Sequence, residues 1–323
     1  MNSRERFRET MRYGNPDHVP YLEEGLRDDV LERWRAQGHN TNPSEVFVID
    51  RRERVPAVLE PQPPSGKLPK TQRDLYKLRR QLDADDPKRL PKDWDVRVKE
   101  WRNRSYLLEL QAHHGFFLSM GVEGWDSFLP AIYLLEDDPL LVTEMLDMFG
   151  YLSARLIERV LREVELDFVT FSEPIGGNDG PLLSPETYRR FVTRSYVPIV
   201  DALRRGGVET IVFMTYANSR ALIPCVLEIG FNCLWACETE AKAMDYKSLR
   251  SEFGPELRLI GGIDSDALLG DKKMIRREIE TKVPPLLEQG GYIPVADGRV
   301  RANVPFENFI YYRELLAEIT TRG

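Results

Sequence analysis

The 323-residue sequence predicts an α/β fold, a (β/α)8 (TIM) barrel with an N-terminal helical elaboration. Three observations predict it. Short β-type runs with polar or glycine-containing tips recur from about residue 105. Helical patterns of about ten residues or more separate most of them, which implies βαβ units and a parallel sheet. No G-x-G-x-x-G or G-x-x-x-x-G-K follows any run, which weakens the nucleotide-binding form of the main rival, a doubly wound open sheet. The length suits one barrel, so 1–323 reads as a single domain.

In chain order, residues 3–14 read as a short polar helix ended by Gly14-Asn15-Pro16-Asp17, a turn signal. VPYLEEG (19–25) reads as a first strand ending in two carboxylates, and 27–38 as a helix stopped by Gly38. Residues 40–105 are proline-rich and charged, with helices expected at 71–83 and 91–102. Their few apolar residues place this insertion outside the core. Then come SYLLELQ or GFFLSMG, DFVTFSEP, TIVFMTYAN, NCLWACET, LRLIGGID and GYIPVADG as strands. Helices are expected at 138–165, 185–205, 219–229, 245–252, 271–289 and 305–320. Counting VPYLEEG this makes about seven strands, with an eighth expected in the irregular part.

Composition narrows the function. Lys and Arg number 45 against 52 Asp and Glu, a net charge of −7, which argues against nucleic-acid or anionic-membrane partners. No run of 18 apolar residues could span a bilayer, and MNSRERFRET lacks the apolar stretch of a secretory signal. Three clustered cysteines, Cys225, Cys233 and Cys237, do not make a disulfide framework, so a cytoplasmic location is expected. Cys233 and Cys237 share a strand face and read as small buried apolar groups. The basic run at 67–104, with Trp94 and Trp101, is interspersed with acids and reads as a solvated helical face.

In a barrel the chemistry sits at the C-terminal strand ends. Those ends carry Glu23 and Glu24, then Glu173, then Thr215, Tyr216 and Asn218. Glu238 and Glu240, Asp264, and Asp297 with Arg299 and Arg301 follow. Each has a plain alternative, since strand-end carboxylates also cap helices and close turns. Asp264 in GGIDSDALL reads as such a cap, and the sequence does not choose between Glu238 and Glu240. Of His113 and His114 at most one reaches the site, because neighbours on a strand face opposite ways; His114 is the candidate.

Several stretches resemble the uroporphyrinogen decarboxylase superfamily, which includes corrinoid-linked methyltransferases and O-demethylases. They are MNSRERFRETMRYGNPDHVP, GPLLSPETYRRFVTRSYVPIVDALRRGGV, NSRALIPCVLEIGFNCL, LRLIGGIDSDAL and KVPPLLEQGGYIPVADGRVRANVPFENFIYY. The resemblance covers residues 1–35 and about 85–320 and implies a (β/α)8 barrel. It also implies a small-molecule substrate, a corrinoid protein as partner, and a homodimer.

The departures bear on activity. Zinc-dependent relatives carry His-x-Cys at the strand end aligned with Met214-Thr215-Tyr216, plus a late cysteine. Here a thioether and a phenol replace both ligands, so loss of the relatives' zinc site is expected, and no tightly bound cofactor. Relatives with a histidine in the last strand-end loop have Gly298 here. The decarboxylases' glycine- and arginine-rich N-terminal motif is replaced by YLEEGLRDD, a poor match for a polycarboxylate substrate.

The resemblance therefore implies methyl transfer or demethylation of a small substrate with a corrinoid protein as acceptor. Glu173 would be the acid, Tyr216 a hydrogen-bond donor, and Asn218 an orienting group. Arg299 and Arg301 would hold a substrate carboxylate, with Glu24, Glu238, Asp297 and His114 lining the site. Two alternatives stand beside it. One is decarboxylation of a small organic acid or a porphyrin-like substrate; the other is a non-catalytic barrel that lost its zinc site and binds a small molecule. Glu173, Glu238 and Asp297 could also hold a hard metal ion.

Overall fold

The computed structural model describes residues 1–39, 48–59, 69, 71–122, 124–237 and 243–321. Its strands form one sheet in sequential order, β1 (Arg52–Arg54), β2 (Leu107–His113), β3 (Phe168–Glu173), β4 (Ile211–Tyr216), β5 (Cys233–Cys237), β6 (Arg258–Ile263) and β7 (Tyr292–Ala296). Every neighbouring pair is parallel, and the sheet curls in the manner of a barrel. Eight laddered strands are not seen among the described residues.

VPYLEEG, the expected first strand, joins no ladder. Asp50 N–H donates to the Tyr21 carbonyl at 3.0 Å, Val300 N–H donates to that of Gly25 at 3.3 Å, and Leu26 makes one parallel bridge with Val300. Pro20 has no N–H to offer a ladder, and the segment touches the two edge regions of the sheet by isolated backbone bonds and side-chain contacts. The first laddered strand, β1, is the one expected in the irregular, proline-rich part. That segment is not outside the core: Val55, Leu75, Leu78, Leu90, Trp94 and Trp101 are all buried in it.

The main α-helices among the described residues are α1 (Ser3–Met11), α2 (Asp28–Ala36), α3 (Gln72–Arg79), α4 (Trp94–Arg102), α5 (Phe116–Ser119), α6 (Trp125–Asp137), α7 (Pro139–Leu161), α8 (Arg194–Arg205), α9 (Ile223–Ile229), α10 (Tyr246–Phe253), α11 (Lys272–Gln289) and α12 (Phe306–Thr320), with a short helical turn and a π-helical segment (Pro185–Thr187, Tyr188–Thr193) leading into α8. GFFLSMG is therefore a helical turn, not a strand, and α6 was not anticipated. None of these helices is long and apolar enough to cross a membrane.

Strand alternation sorts the core into two layers. Leu107, Phe168, Val212, Met214, Trp235 and Ile293 meet inside the curl. Phe7 and Met11 of α1 enter the same cluster, and Phe7 stacks on Phe168 with ring centroids 5.0 Å apart. The alternate residues, among them Val169, Phe171, Phe213 and Leu234, pack with the helices in a larger outer layer. A strand-tip residue thus faces either the inside of the curl or the helices, and register decides which.

Candidate active site

The inner face of the curl carries a mixed-charge group that runs from Arg52 and Glu109, in register with the first residues of β2 and β3, up to the mouth at the C-terminal tips of β4 and β5. Arg52 and Arg54 are in register with Leu107 and Glu109 of β2, and Leu107 lies in the inner cluster, so these side chains face inward. Glu109, embedded in an apolar run and buried, is their shared partner. Its Oε1 accepts from Thr170 Oγ1 at 2.8 Å and from Arg54 Nη2 at 3.2 Å. Its Oε2 lies 3.4 Å from Arg52 Nη1. Arg52 also reaches the Glu23 carbonyl at 3.4 Å, and its guanidinium carbon sits 5.3 Å from the centre of the Trp235 ring. Both polar contacts are long for a guanidinium, and the side chain is 20% exposed. The Trp235 indole N–H is buried with no hydrogen-bond partner among the described residues.

Across the mouth Tyr216 packs against the inner cluster, with its phenol near Cys237, Glu24 and Arg299 and hydrogen-bonded to Ser172. Burial, then Cys237 and Glu24, pushes the phenol up to about 12, so it stays protonated at neutral pH. The Cys237 thiol is raised well above its ordinary value by burial, with Glu24 and Asp297 adding to it. Arg299 Nε is 3.9 Å from Glu24 Oε1. Asp297 Oδ1 accepts the Gly262 N–H at 2.8 Å. That contact depends on glycine: Gly262 has φ +87°, and an added Cβ would meet the Tyr246 ring at 2.7 Å.

His114 lies on this side too. Its Nδ1 is 3.0 Å from Gln111 Nε2, and its pKa is lowered by burial and then by Arg54.

Three expected site residues are placed differently. Glu173 does not share a space with Tyr216. Register pairs Glu173 with Thr215, so the carboxylate follows Val169 and Phe171 into the helix layer while Tyr216 turns inward. There Glu173 is fully buried and accepts from Tyr196 Oη at 2.5 Å, Phe116 N–H at 2.9 Å and Tyr188 Oη at 3.3 Å. Asn218 is a turn residue: its Oδ1 accepts from Arg220 N–H at 3.3 Å. Arg301 pairs with Asp266 at 2.7 Å. Glu238 and Glu240 lie outside the described residues.

Sequence reasoning missed Arg52, Arg54, Glu109 and Trp235. A signal existed for three of them. A glutamate in the apolar run LLEL is anomalous, and R-x-R at strand period places two cations on one face.

The strand-end donor set does not fit zinc: a thioether, a phenol and a thiol held protonated are poor ligands. Among the described residues no group of three His, Cys, Asp or Glu is arranged for a metal ion.

No curated protein matches the chain. Among solved structures it is similar to xylanase B from Clostridium stercorarium F9, at 12% identity and TM-score 0.43 over 84% of this chain and 88% of that one. It is also similar to a Listeria monocytogenes protein described as a vitamin-B12 independent methionine synthase, at 12% identity and TM-score 0.38 over 68% of each chain. Likenesses this weak carry no argument. The sequence profile of "Uroporphyrinogen decarboxylase (URO-D)" matches residues 124–320, well over half of the 323 residues. That match runs from the start of α6 to the end of α12, through five of the seven sheet strands, and the chain belongs to the uroporphyrinogen decarboxylase family.

Proposed function

We propose that the inner mouth is the active site of an enzyme that removes a methyl group from a small, methoxylated, carboxylate-bearing substrate, with a corrinoid protein as acceptor. The observation that carries this reading is Arg52. A cation four-fifths buried on the inner wall, stacked over Trp235 and held, among the described residues, by only long contacts, has donors to spare for a carboxylate. Glu24 and Asp297 repel an anion, so they would orient the substrate with its carboxylate toward Arg52 and its neutral ether toward Tyr216.

The partner's corrinoid would supply the nucleophilic acceptor for the methyl group. The chain's own task is the leaving oxygen, which takes the electron pair of the broken C–O bond and needs a proton. Tyr216, protonated at neutral pH, is the donor in this reading. Glu173 has no direct part, because it faces the helices.

The test is incubation of the purified chain with methoxybenzoates and chemically reduced free cobalamin, following methylcobalamin absorbance. Turnover that falls about 100-fold in Tyr216→Phe, with KM raised in Arg52→Met, supports the reading. Carbon dioxide release without cobalamin and without methyl transfer would overturn it in favour of decarboxylation. Turnover unchanged in both variants would remove the mouth as its site.

A further inference from the structure

Behind the sheet, a buried polar network connects Glu173 to the turn that follows His114. Besides Glu173 at the end of β3, its members come from four elements: His113 at the end of β2, the 115–119 turn with α5, Tyr188 in the π-helical segment 188–193, and Tyr196 on α8. Thr215 of β4 bonds the Glu173 carbonyl, not its carboxylate. Among the described residues no charged side chain bonds the carboxylate.

The hydrogen bonds fix the tautomer of His113. Gly115 N–H can only donate, and it points at Nδ1 at 2.9 Å. The imidazole proton therefore sits on Nε2, 3.4 Å from Ser119 Oγ, which donates onward to the Gly115 carbonyl at 3.0 Å. Tyr196 Oη has two acceptors in reach, Glu173 Oε2 at 2.5 Å and His113 Nδ1 at 3.2 Å. Gly115 is held tightly: with φ +110°, an added Cβ would meet Pro174 Cδ at 2.6 Å.

We propose that Glu173 is a positioning residue for the mouth, coupling its own proton through Tyr196 and His113 to the Gly115–Phe116 turn that places His114. The proposal rests on the reading of the mouth as the active site. With Glu173 ionised, the Tyr196 hydroxyl donates to it and His113 Nδ1 serves Gly115 alone. With a proton taken from solvent, the carboxyl donates to Tyr196 instead. The Tyr196 hydrogen then turns to His113 Nδ1, where it competes with Gly115 N–H for one lone pair. The turn after His114 loosens as a result.

The exchange falls in the neutral range. Burial raises Glu173 to about 7 against its three hydrogen bonds. Burial, then His114, lowers His113 to about 3, so the imidazole stays neutral throughout.

The test uses amide NMR of the full ¹⁵N-labelled chain and needs no substrate. The Gly115 and Phe116 amides are expected to titrate together with a midpoint near 7. Glu173→Gln should abolish both titrations. Tyr196→Phe should keep the Phe116 titration, because that bond is direct, and lose the Gly115 one. A Gly115 amide that does not move with Phe116, or that still titrates in Tyr196→Phe, overturns the relay. Should Glu173→Gln fail to fold, Tyr196→Phe alone decides. A failure here leaves turnover at the mouth untouched, so the two readings fall separately.

Discussion

Glu173 and Tyr216 stand on neighbouring strands and face opposite sides of the sheet. Glu173 is in register with Thr215, and one further residue turns the next side chain over. The carboxylate therefore meets Tyr188 and Tyr196 of the helix layer, while the phenol meets Cys237 and Glu24 inside the curl. An acid and a phenol that look like partners at two strand tips belong to different environments.

This separation predicts different pH behaviour in turnover. Tyr216→Phe should lower kcat by about 100-fold at every pH from 6 to 9, because the phenol is protonated throughout. The effect of Glu173→Gln should depend on pH, since the amide mimics only the protonated carboxyl. Steady-state profiles on the substrate class proposed above check both.

The buried carboxyl also has a stability signature. Its folded-state value, about 7, lies above its ordinary 4.5. The folded chain thus binds this proton more tightly between those values. The stability it contributes is fully present below pH 4.5 and is lost as pH rises to 7. The full window corresponds to on the order of 3 kcal/mol. Urea unfolding at pH 5 and pH 8 should show the wild type losing stability relative to Glu173→Gln. A constant difference between the two proteins would contradict it.

The N-terminal segment is anchored by a buried ion pair. Arg313 Nη1 on α12 lies 2.6 Å from Glu23 Oε1, which also accepts from Tyr312 Oη at 3.0 Å. Arg313→Met should cost about 3–5 kcal/mol, since it leaves a buried carboxylate without its cation. Replacing both residues with methionine should restore much of that loss in denaturant titrations.

Gly176 supports Tyr216 from the neighbouring loop. An added Cβ would overlap the Tyr216 carbonyl oxygen, and the next residue, Ala217, already holds φ +52°. Gly176→Ala should destabilise by about 2 kcal/mol or more and lower Tyr216-dependent turnover. Gly124→Ala, with nothing within 4 Å of the added Cβ, is the control and should stay within about 0.5 kcal/mol. Thermal melts of the two variants test the difference.

Much of the fold was legible because β-type runs and helical patterns differ in period. β3 to β7 fall inside DFVTFSEP, TIVFMTYAN, NCLWACET, LRLIGGID and GYIPVADG. The helix expected at 271–289 is α11, Lys272–Gln289. Two elements misled for physical reasons. GFFLSMG is mostly apolar, and a short apolar run has no period to separate a strand from a buried helical turn. RER in β1 carries no hydrophobic signal, because its inward side chains are the charged groups of the mouth.

By itself the sequence determined the α/β alternation, the family, and which residues lie near the C-terminal strand ends. Only the tertiary structure decided which way each tip points, that Arg52 and Glu109 face the inside of the curl, and that Glu173 does not. The reason is the parallel sheet. Both of its faces are buried, so inner and outer positions are equally apolar in composition. Facing is set by register, and a shift of one residue exchanges the two faces.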